Sequence, residues 1–395
     1  MELSQLFILA ALPLKLLTLY FAWVVLRWGF AHKERWPERA PKTRFAVVIA
    51  ARNEQAVIGR LVKSLLAQDY PKELFDVFVV PNNCTDDTAG EALRAGARVL
   101  NCHWPVKNKG DALRQAFCRL EGKGYDAFAV FDADNVVDRQ YLKKTNDAFC
   151  AGAQVVKGRQ MALNPHESWV AGCYDLYFCL FDLIYHRPRA NGGLSAKLVG
   201  TGFALHRSVL ERLGGWNTQT VAEDAEFAAL CAREDIRVCW APEAVTWDEE
   251  PCGFGVSLRQ RKRWCSGVIQ VGRLMLPRLL SGPKSRRGWD FACFLLTAQL
   301  QPVAALLTLC AWVCLAAEGS LTLPGVLAAA CGYWLGCAGL AAVLLLAERP
   351  KGRRNRWAAA LFPLFMASWM PLQVLALFHK TTAWREIPHG SSRLA

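Results

Sequence analysis

The placement of apolar residues constrains this chain more than any other feature. Leu6 to Trp28, Trp289 to Ala317, Leu321 to Ala347 and Trp357 to His379 are nearly uncharged runs, each long enough to cross a hydrocarbon core of about 30 Å as a helix. Pro13 and Lys15 interrupt the first, and Pro302 sits inside the second. The stretch between the first run and the other three has an ordinary globular composition, so the chain reads as a soluble domain inserted between membrane helices. The expected division is a membrane helix over 5–28, an α/β domain over 43–250, amphipathic interfacial helices over 251–287, a membrane region of about three helices over 288–380, and a tail over 381–395.

A net charge of +13 suits nucleic acid, anionic lipid or a phosphorylated substrate. The basic runs His32 to Arg44, Arg259 to Arg263, Lys284 to Arg287 and Lys351 to Arg356 all flank apolar segments, as cytoplasmic loops beside a bilayer do. With no recognition module visible, nucleic acid is not expected as a partner. Glu2 precedes the first apolar run and Arg27, His32, Lys33 and Arg35 follow it, the reverse of a cleaved signal peptide, which implies a retained anchor whose C-terminal side is cytoplasmic. The 15 cysteines include no C-x-x-C pair and the 7 histidines are dispersed, so reduced thiols are expected rather than a disulfide framework or a zinc site. Four crossings would put both ends of the chain outside, whereas Lys380, Arg385 and Arg393 favour a cytoplasmic tail. The conflict resolves if Trp289 to Ala317 turns back or breaks at Pro302.

In the middle region, Phe45 to Ala51, Asp76 to Val80, Ala97 to Leu100 and Ala127 to Phe131 are short apolar runs. Polar loops and helical patterns separate them, so they read as a doubly wound parallel sheet whose ligand crevice lies at the loops. In the fourth loop the oxygens of Asp132 and Asp134 suit a divalent metal and a diphosphate, although the same pair alone fits a solvated turn. Glu54 could accept hydrogen bonds from a ribose or base, and Lys109 could pair with a diphosphate or merely open a helix in solvent. A further strand is expected from Gln154 to Arg159. Trp169 to His186, rich in aromatics, reads as a helix in the membrane interface rather than the core. The glycines of Gly200-Thr201-Gly202-Phe203 permit close backbone approach. Ala222-Glu223-Asp224 opens a helix, where acids also serve as dipole partners. From Gly253 to Met275 the pattern is basic and amphipathic, and Gln260, Arg263 and Trp264 share a face on which an indole could stack on a sugar.

Ala50-Ala51-Arg52-Asn53-Glu54, Asn83-Cys84-Thr85-Asp86-Asp87-Thr88, Lys109-Gly110, Asp132-Ala133-Asp134, Ala222-Glu223-Asp224 and Gln260-Arg261-Lys262-Arg263-Trp264 occur in this order. The ordered set resembles the family 2 inverting glycosyltransferases, in particular the membrane-bound processive branch of cellulose, chitin, hyaluronan and poly-N-acetylglucosamine synthases, over residues 45 to 275. The resemblance implies a glycosyltransferase A-type, Rossmann-like domain that takes a UDP-sugar, with Mg²⁺ or Mn²⁺ on Asp132 and Asp134. It implies Asp224 as general base beside Glu223, Asp132 and Asp134. Donor contacts would come from Ala50, Arg52, Glu54, Asn82, Lys109, Asp132 and Arg263, and acceptor contacts from Gly200, Thr201, Gly202, Gln260, Arg263 and Trp264. The expected activity is processive transfer of a glucose-type or N-acetylglucosamine-type sugar to a growing β-linked polysaccharide, coupled to export. The setting would be a bacterial cell membrane with the catalytic domain cytoplasmic, and accessory export proteins are conceivable partners. The alternative is a non-processive enzyme acting on a membrane lipid, which normally needs no Q-x-x-R-W. A degenerate, non-enzymatic relative fits poorly, because Asp132, Asp134, Asp224 and Trp264 are all present. Two positions depart from the family pattern: Asn82 stands where an aspartate commonly contacts uridine, and Ala222 stands where a threonine usually begins the acidic triplet. Trp384 and His389 resemble a cytoplasmic gating segment of related synthases.

Overall fold

A computed structural model describes residues 2–31, 35–348 and 355–381. Parts of the basic runs (32–34 and 351–354), and Trp384, Arg385, His389 and Arg393 of the tail, lie outside the described residues.

Leu3–Trp28 forms the long apolar helix α1. Trp36 to Thr43 then runs over the domain surface: Trp36 Nε1 donates to Trp240 O at 3.1 Å, and the Thr43 amide and hydroxyl donate to Asn146 Oδ1 at 3.2 and 2.9 Å. The following strand β1 (Phe45–Ala51) is apolar and buried at every position, the pattern of a strand covered on both faces. It pairs in parallel with β2 (Phe75–Pro81), which pairs in parallel with β3 (Arg98–Val99); on its other side β1 pairs in parallel with β4 (Ala127–Asp132). Helices α2 (Ile58–Leu66), α3 (Thr88–Arg94) and α4 (Lys109–Leu120) occupy the crossovers. This half is the expected doubly wound sheet.

Beyond β4 the sheet becomes mixed. The strands β5 (Val136–Val137), β6 (Val155–Ala162), β7 (Phe203–His206) and β8 (Val238–Asp248) complete the order β3-β2-β1-β4-β7-β6-β8-β5 among the described residues, with β7 antiparallel to both β4 and β6. The reversal is local: Gly200 and Gly202 take φ of +69° and +59°, values that side chains with a Cβ resist. They bring the Gly202 amide onto Val130 O at 2.9 Å. The sheet remains a Rossmann-like α/β layer, with α5 (Tyr141–Cys150) joining α2 and α3 on one face.

Helix α6 (Trp169–Phe181) passes through a π-turn, Asp182–His186, into α7 (Arg187–Asn191); α8 (Arg207–Leu213) and α9 (Glu223–Arg233) follow β7. Trp216 is 1% exposed and is held between Phe227 of α9 and Phe203 of β7, at ring separations of 4.1 and 6.1 Å. It fixes the start of α9 over the end of the sheet. Helix α6 is buried against Phe362, Phe365, Leu344 and Leu345, residues of the C-terminal apolar helices. Rings of the kind that suit an interface here fill a helix–helix seam.

The remaining helices are α10 (Phe254–Ser281), α11 (Arg286–Ala317), α12 (Leu323–Glu348), α13 (Arg356–Ala367) and α14 (Trp369–Phe378). By length and composition α1, α11, α12 and the pair α13–α14 could each cross a membrane. Helix α11 neither turns back nor breaks at Pro302, which is carried inside one continuous helix. The interruption falls instead at Ser368, between α13, which contains Pro363, and α14. The inserted domain is tied to these helices by a buried ion pair. Arg189 of α7 donates to Asp290 of α11 through Nε at 2.9 Å and Nη2 at 3.0 Å, and Tyr20 of α1 donates to the same carboxylate at 2.8 Å. The guanidinium also lies 3.8 Å over the Tyr185 ring.

Candidate active site

The ends of β1 and β4 and the starts of α4 and α9 converge on Gly200. A methyl group there would sit 3.5 Å from Asp132 Oδ2 and 4.0 Å from both Asp224 Oδ2 and Lys109 Nζ. Each arm is set by its own sequence. Asn108 caps α4 by accepting the Asp111 amide at 3.0 Å, and Gly110 lets that end approach closely, since a Cβ would meet Thr218 Oγ1 at 2.5 Å. The turn into α9 is held by Glu226, whose Oε2 accepts the Gln219 and Thr220 amides at 2.9 and 2.7 Å. A Cβ on Gly267 of α10 would lie 2.7 Å from the Ala222 side chain, so a close helix contact occupies the position where the family usually has threonine.

The charges at this end are paired. Lys109 donates to Asp132 and, at 2.6 Å, to Gly200 O, and lies 3.7 Å from Glu223. Burial lowers the Lys109 pKa, but Asp132 and Glu223 outweigh that and hold the ammonium above its ordinary value. Burial pushes the Glu223 carboxyl up to about 7, against the pull of Lys109. Asp248, at the end of β8, accepts the Asn135 amide at 2.9 Å and a second bond from Gln160. Burial, with the neighbouring charges of Asp134 and Asp132, holds its carboxyl well above the usual carboxylate range. That surplus of negative charge is what a divalent cation relieves. Among the described residues no group of three or more His, Cys, Asp or Glu could hold a metal unaided. Asp132 and Asp134 are two carboxylates, and a pair of carboxylates completed by ligand oxygens is how Mg²⁺ and similar ions are commonly held against phosphates.

These residues line one end of a cavity of about 510 Å³. Its other end is formed by Tyr177 and Phe181 of α6, Trp264 of α10, Phe294 and Gln301 of α11, and Trp369 and Gln373 of α14. The Trp369 ring stacks on Tyr177 at 5.3 Å and on Trp264 at 6.3 Å. The Arg261 guanidinium, fully buried on another side of α10, donates to Phe365 O at 3.0 Å and lies 4.1 Å over the Phe365 ring. It clamps α10 to α13, leaving Gln260, Arg263 and Trp264 to line the cavity.

Of the residues singled out from sequence, Ala50, Arg52, Glu54, Lys109, Asp132, Asp134, Gly200, Thr201, Glu223, Asp224, Gln260, Arg263 and Trp264 all line this cavity. Asn82 does not: it is 2% exposed, and its Nδ2 donates to Ala51 O at 2.9 Å. Gly202 lies behind the wall, where a Cβ would meet Thr246 Oγ1 at 2.9 Å. The Thr201 hydroxyl accepts the Asp132 amide at 3.0 Å and donates to Asn135, so it braces the end of β4. Three participants were not anticipated. Asp248 carried a readable signal, since Asp248-Glu249-Glu250 ends an apolar strand just as Asp132 and Asp134 do. Lys157 carried none; it is buried, donates to Thr201 O at 2.9 Å, and burial brings its ammonium down to about 8. Lys197, on the aromatic side, likewise has no motif around it.

Comparison with known proteins gives a consistent picture. A family model described as glycosyltransferase like family 2 matches residues 41–267. A probable glycosyltransferase, YdaM, of Bacillus subtilis is 28% identical over 309 residues, covering 71% of this chain and 72% of that protein. A beta-monoglucosyldiacylglycerol synthase of Nostoc is 28% identical over 284 residues, 66% of this chain but only 57% of the synthase. Among solved structures, a mannosyltransferase from Pyrobaculum calidifontis, in complex with GDP-Man and Mn²⁺, superposes with a TM-score of 0.66 at 20% identity. The match covers 96% of this chain and 99% of that one, so the fold is shared across both the α/β domain and the apolar helices.

Proposed function

The chain belongs to glycosyltransferase family 2, and on that premise we propose that it is an inverting enzyme that moves one sugar from a nucleoside diphosphate donor to a hydroxyl of a membrane lipid. One observation carries the reading: a single cavity joins the carboxylates at the end of β4 to rings and amides on α11 and α14, two of the helices apolar enough to cross a bilayer. A donor at one end and a lipid headgroup at the other could then meet at Asp224. The similarity to a glucosyldiacylglycerol synthase supports a lipid acceptor over the polysaccharide favoured from sequence. The lining of the same cavity by Gln260, Arg263 and Trp264 is what favours the polysaccharide. In this reading the α/β domain is cytoplasmic, beside the basic runs of α10 and α11.

Asp224 takes the proton of the attacking hydroxyl as its oxygen bonds to the anomeric carbon, from the face opposite the diphosphate. The bond from that carbon to the phosphate oxygen breaks, and its electron pair leaves with the nucleoside diphosphate, so an α-linked donor gives a β-glycoside. Lys109 and Arg263 offset the charge growing on the leaving group. A divalent cation held by Asp132 and Asp134 would supply further charge neutralisation to the diphosphate when bound. Glu54 and Arg52 are assigned to the nucleoside.

The test is a panel of UDP-sugars and GDP-sugars given to the full-length protein in lipid-containing micelles, with mass and anomer analysis of the products. A β-linked monoglycosyl lipid, lost in excess chelator, is expected. Long polymer without glycolipid would overturn the lipid acceptor in favour of the polysaccharide.

A further inference from the structure

We propose that Lys197 makes the membrane end of the cavity select an acceptor lipid that carries a phosphate beside its reacting hydroxyl; this rests on the lipid-acceptor reading above. Lys197 lies three residues before Gly200 and lines the cavity. Its ammonium is seated over the Phe294 ring at 4.7 Å and the Phe181 ring at 5.6 Å. Among the described residues no carboxylate or carbonyl lies within bonding distance of it. The contrast with the other lysines of the cavity region is direct: Lys109 is held by Asp132 and Glu223, and Lys157 by Thr201 O.

Lys197 is half-buried in the cavity wall; a cation partly withdrawn from water without a counter-ion is unfavourable, and two ring faces compensate only part of that cost. Burial accordingly brings the Lys197 ammonium below its ordinary value, opposed by the charge of Asp224. Asp224 acts electrostatically on Lys197 and Lys109 alike, whereas Asp132 and Glu223 act on Lys109. Lys109 is bonded to Asp132 and Gly200 O at one end of the cavity, whereas Lys197 rests on Phe181 and Phe294, two of the rings that form the other end. An anion bound by Lys197 belongs to the acceptor and not to the donor diphosphate, and it would hold a hydroxyl one short spacer away within reach of Asp224.

The phosphate could be that of a lipid headgroup or of a soluble glycerol phosphate, so the experiment compares phosphatidylglycerol, diacylglycerol and glycerol 3-phosphate as acceptors for the full-length protein in micelles. We expect kcat/KM to favour phosphatidylglycerol, and Lys197→Met to cut the ratio of phosphatidylglycerol to diacylglycerol by about tenfold or more, the loss of one charge-assisted contact. Lys197→Arg should retain most of the preference. Donor binding, measured alongside, reports whether each variant is folded. An unchanged ratio in folded Lys197→Met, or a wild-type protein that prefers diacylglycerol, overturns the inference and leaves the proposed function standing. Equal use of glycerol 3-phosphate removes its lipid component. Transfer to no lipid at all overturns both.

Discussion

At the Asp132 end of the cavity the polar side chains hold one another: Lys109 is bound by Asp132 and Glu223, and Asp248 by the amides of Asn135 and Gln160. At the membrane end Lys197 rests on two rings, and the walls around it are mostly aromatic and aliphatic, with the amides of Gln301 and Gln373. The first end is electrostatically preorganised, which is how enzymes stabilise developing charge without reorganising at the moment of reaction. The second is shaped for apolar contact and leaves its polar contacts to the ligand. Chemistry and acceptor choice should therefore fail separately, and substitutions on either side of Asp224 test whether they do.

The largest effect is expected at the boundary itself. Asp224→Asn keeps the shape but removes the proton acceptor, and loss of a general base typically costs about 10²–10⁴-fold in rate. Release of nucleoside diphosphate should collapse while donor affinity, read by titration calorimetry, stays close to that of the parent. Near-normal turnover would place the base elsewhere.

A smaller effect lies wholly at the donor end. The Glu223 pKa is raised from 4.5 to about 7 by burial. Below pH 4.5 the folded and unfolded chains both carry the proton; between there and about 7 the unfolded chain loses it while the folded one keeps it. This group's contribution to stability is therefore present at low pH and falls as pH rises, by about 1–3 kcal/mol in total. Glu223→Gln should flatten that part of the Tm-versus-pH curve in detergent. A wild-type curve that rises from pH 5 to 7 and is unaltered by the substitution would show Glu223 ionised throughout.

The smallest effect belongs to the membrane end. Trp264→Ala removes one member of the Tyr177–Trp369–Trp264 stack, and aromatic contacts of this kind are worth about 0.5–1.5 kcal/mol. Acceptor KM should rise by up to about tenfold with donor KM unmoved. If donor KM rises equally, the two ends are one mechanical unit and the contrast drawn above is lost.

The same contrast decided what could be read from the sequence. Lys109, Asp132, Glu223 and Asp224 sit at strand ends and helix starts, where chain direction alone aims a side chain at the crevice. Asn82 and Thr201 lie in neighbouring loops, yet their side chains bond to backbone groups, Ala51 O in one case and the Asp132 amide in the other, which no motif announces. Lys197, Phe294, Trp369 and Gln373 come from separate helices that meet only through tertiary packing, and no spacing in the sequence links them. Pro302 misled for a related reason: a proline has different consequences in lipid, in water and in a packed seam, and composition does not say which surrounds it.

The Arg189–Asp290 pair has a practical consequence for anyone wishing to work with a water-soluble fragment. The family match ends at residue 267, which invites trimming the chain there. Such a fragment would keep Arg189, 0% exposed in the whole protein, and discard both Asp290 and the α11 surface that shields it. Removing one partner of a buried ion pair typically costs about 3–5 kcal/mol, a large part of the stability a domain of this size possesses. Boundaries drawn from sequence similarity thus cut through a structural joint. A fragment that keeps this joint is one that carries α11 along with the α/β domain.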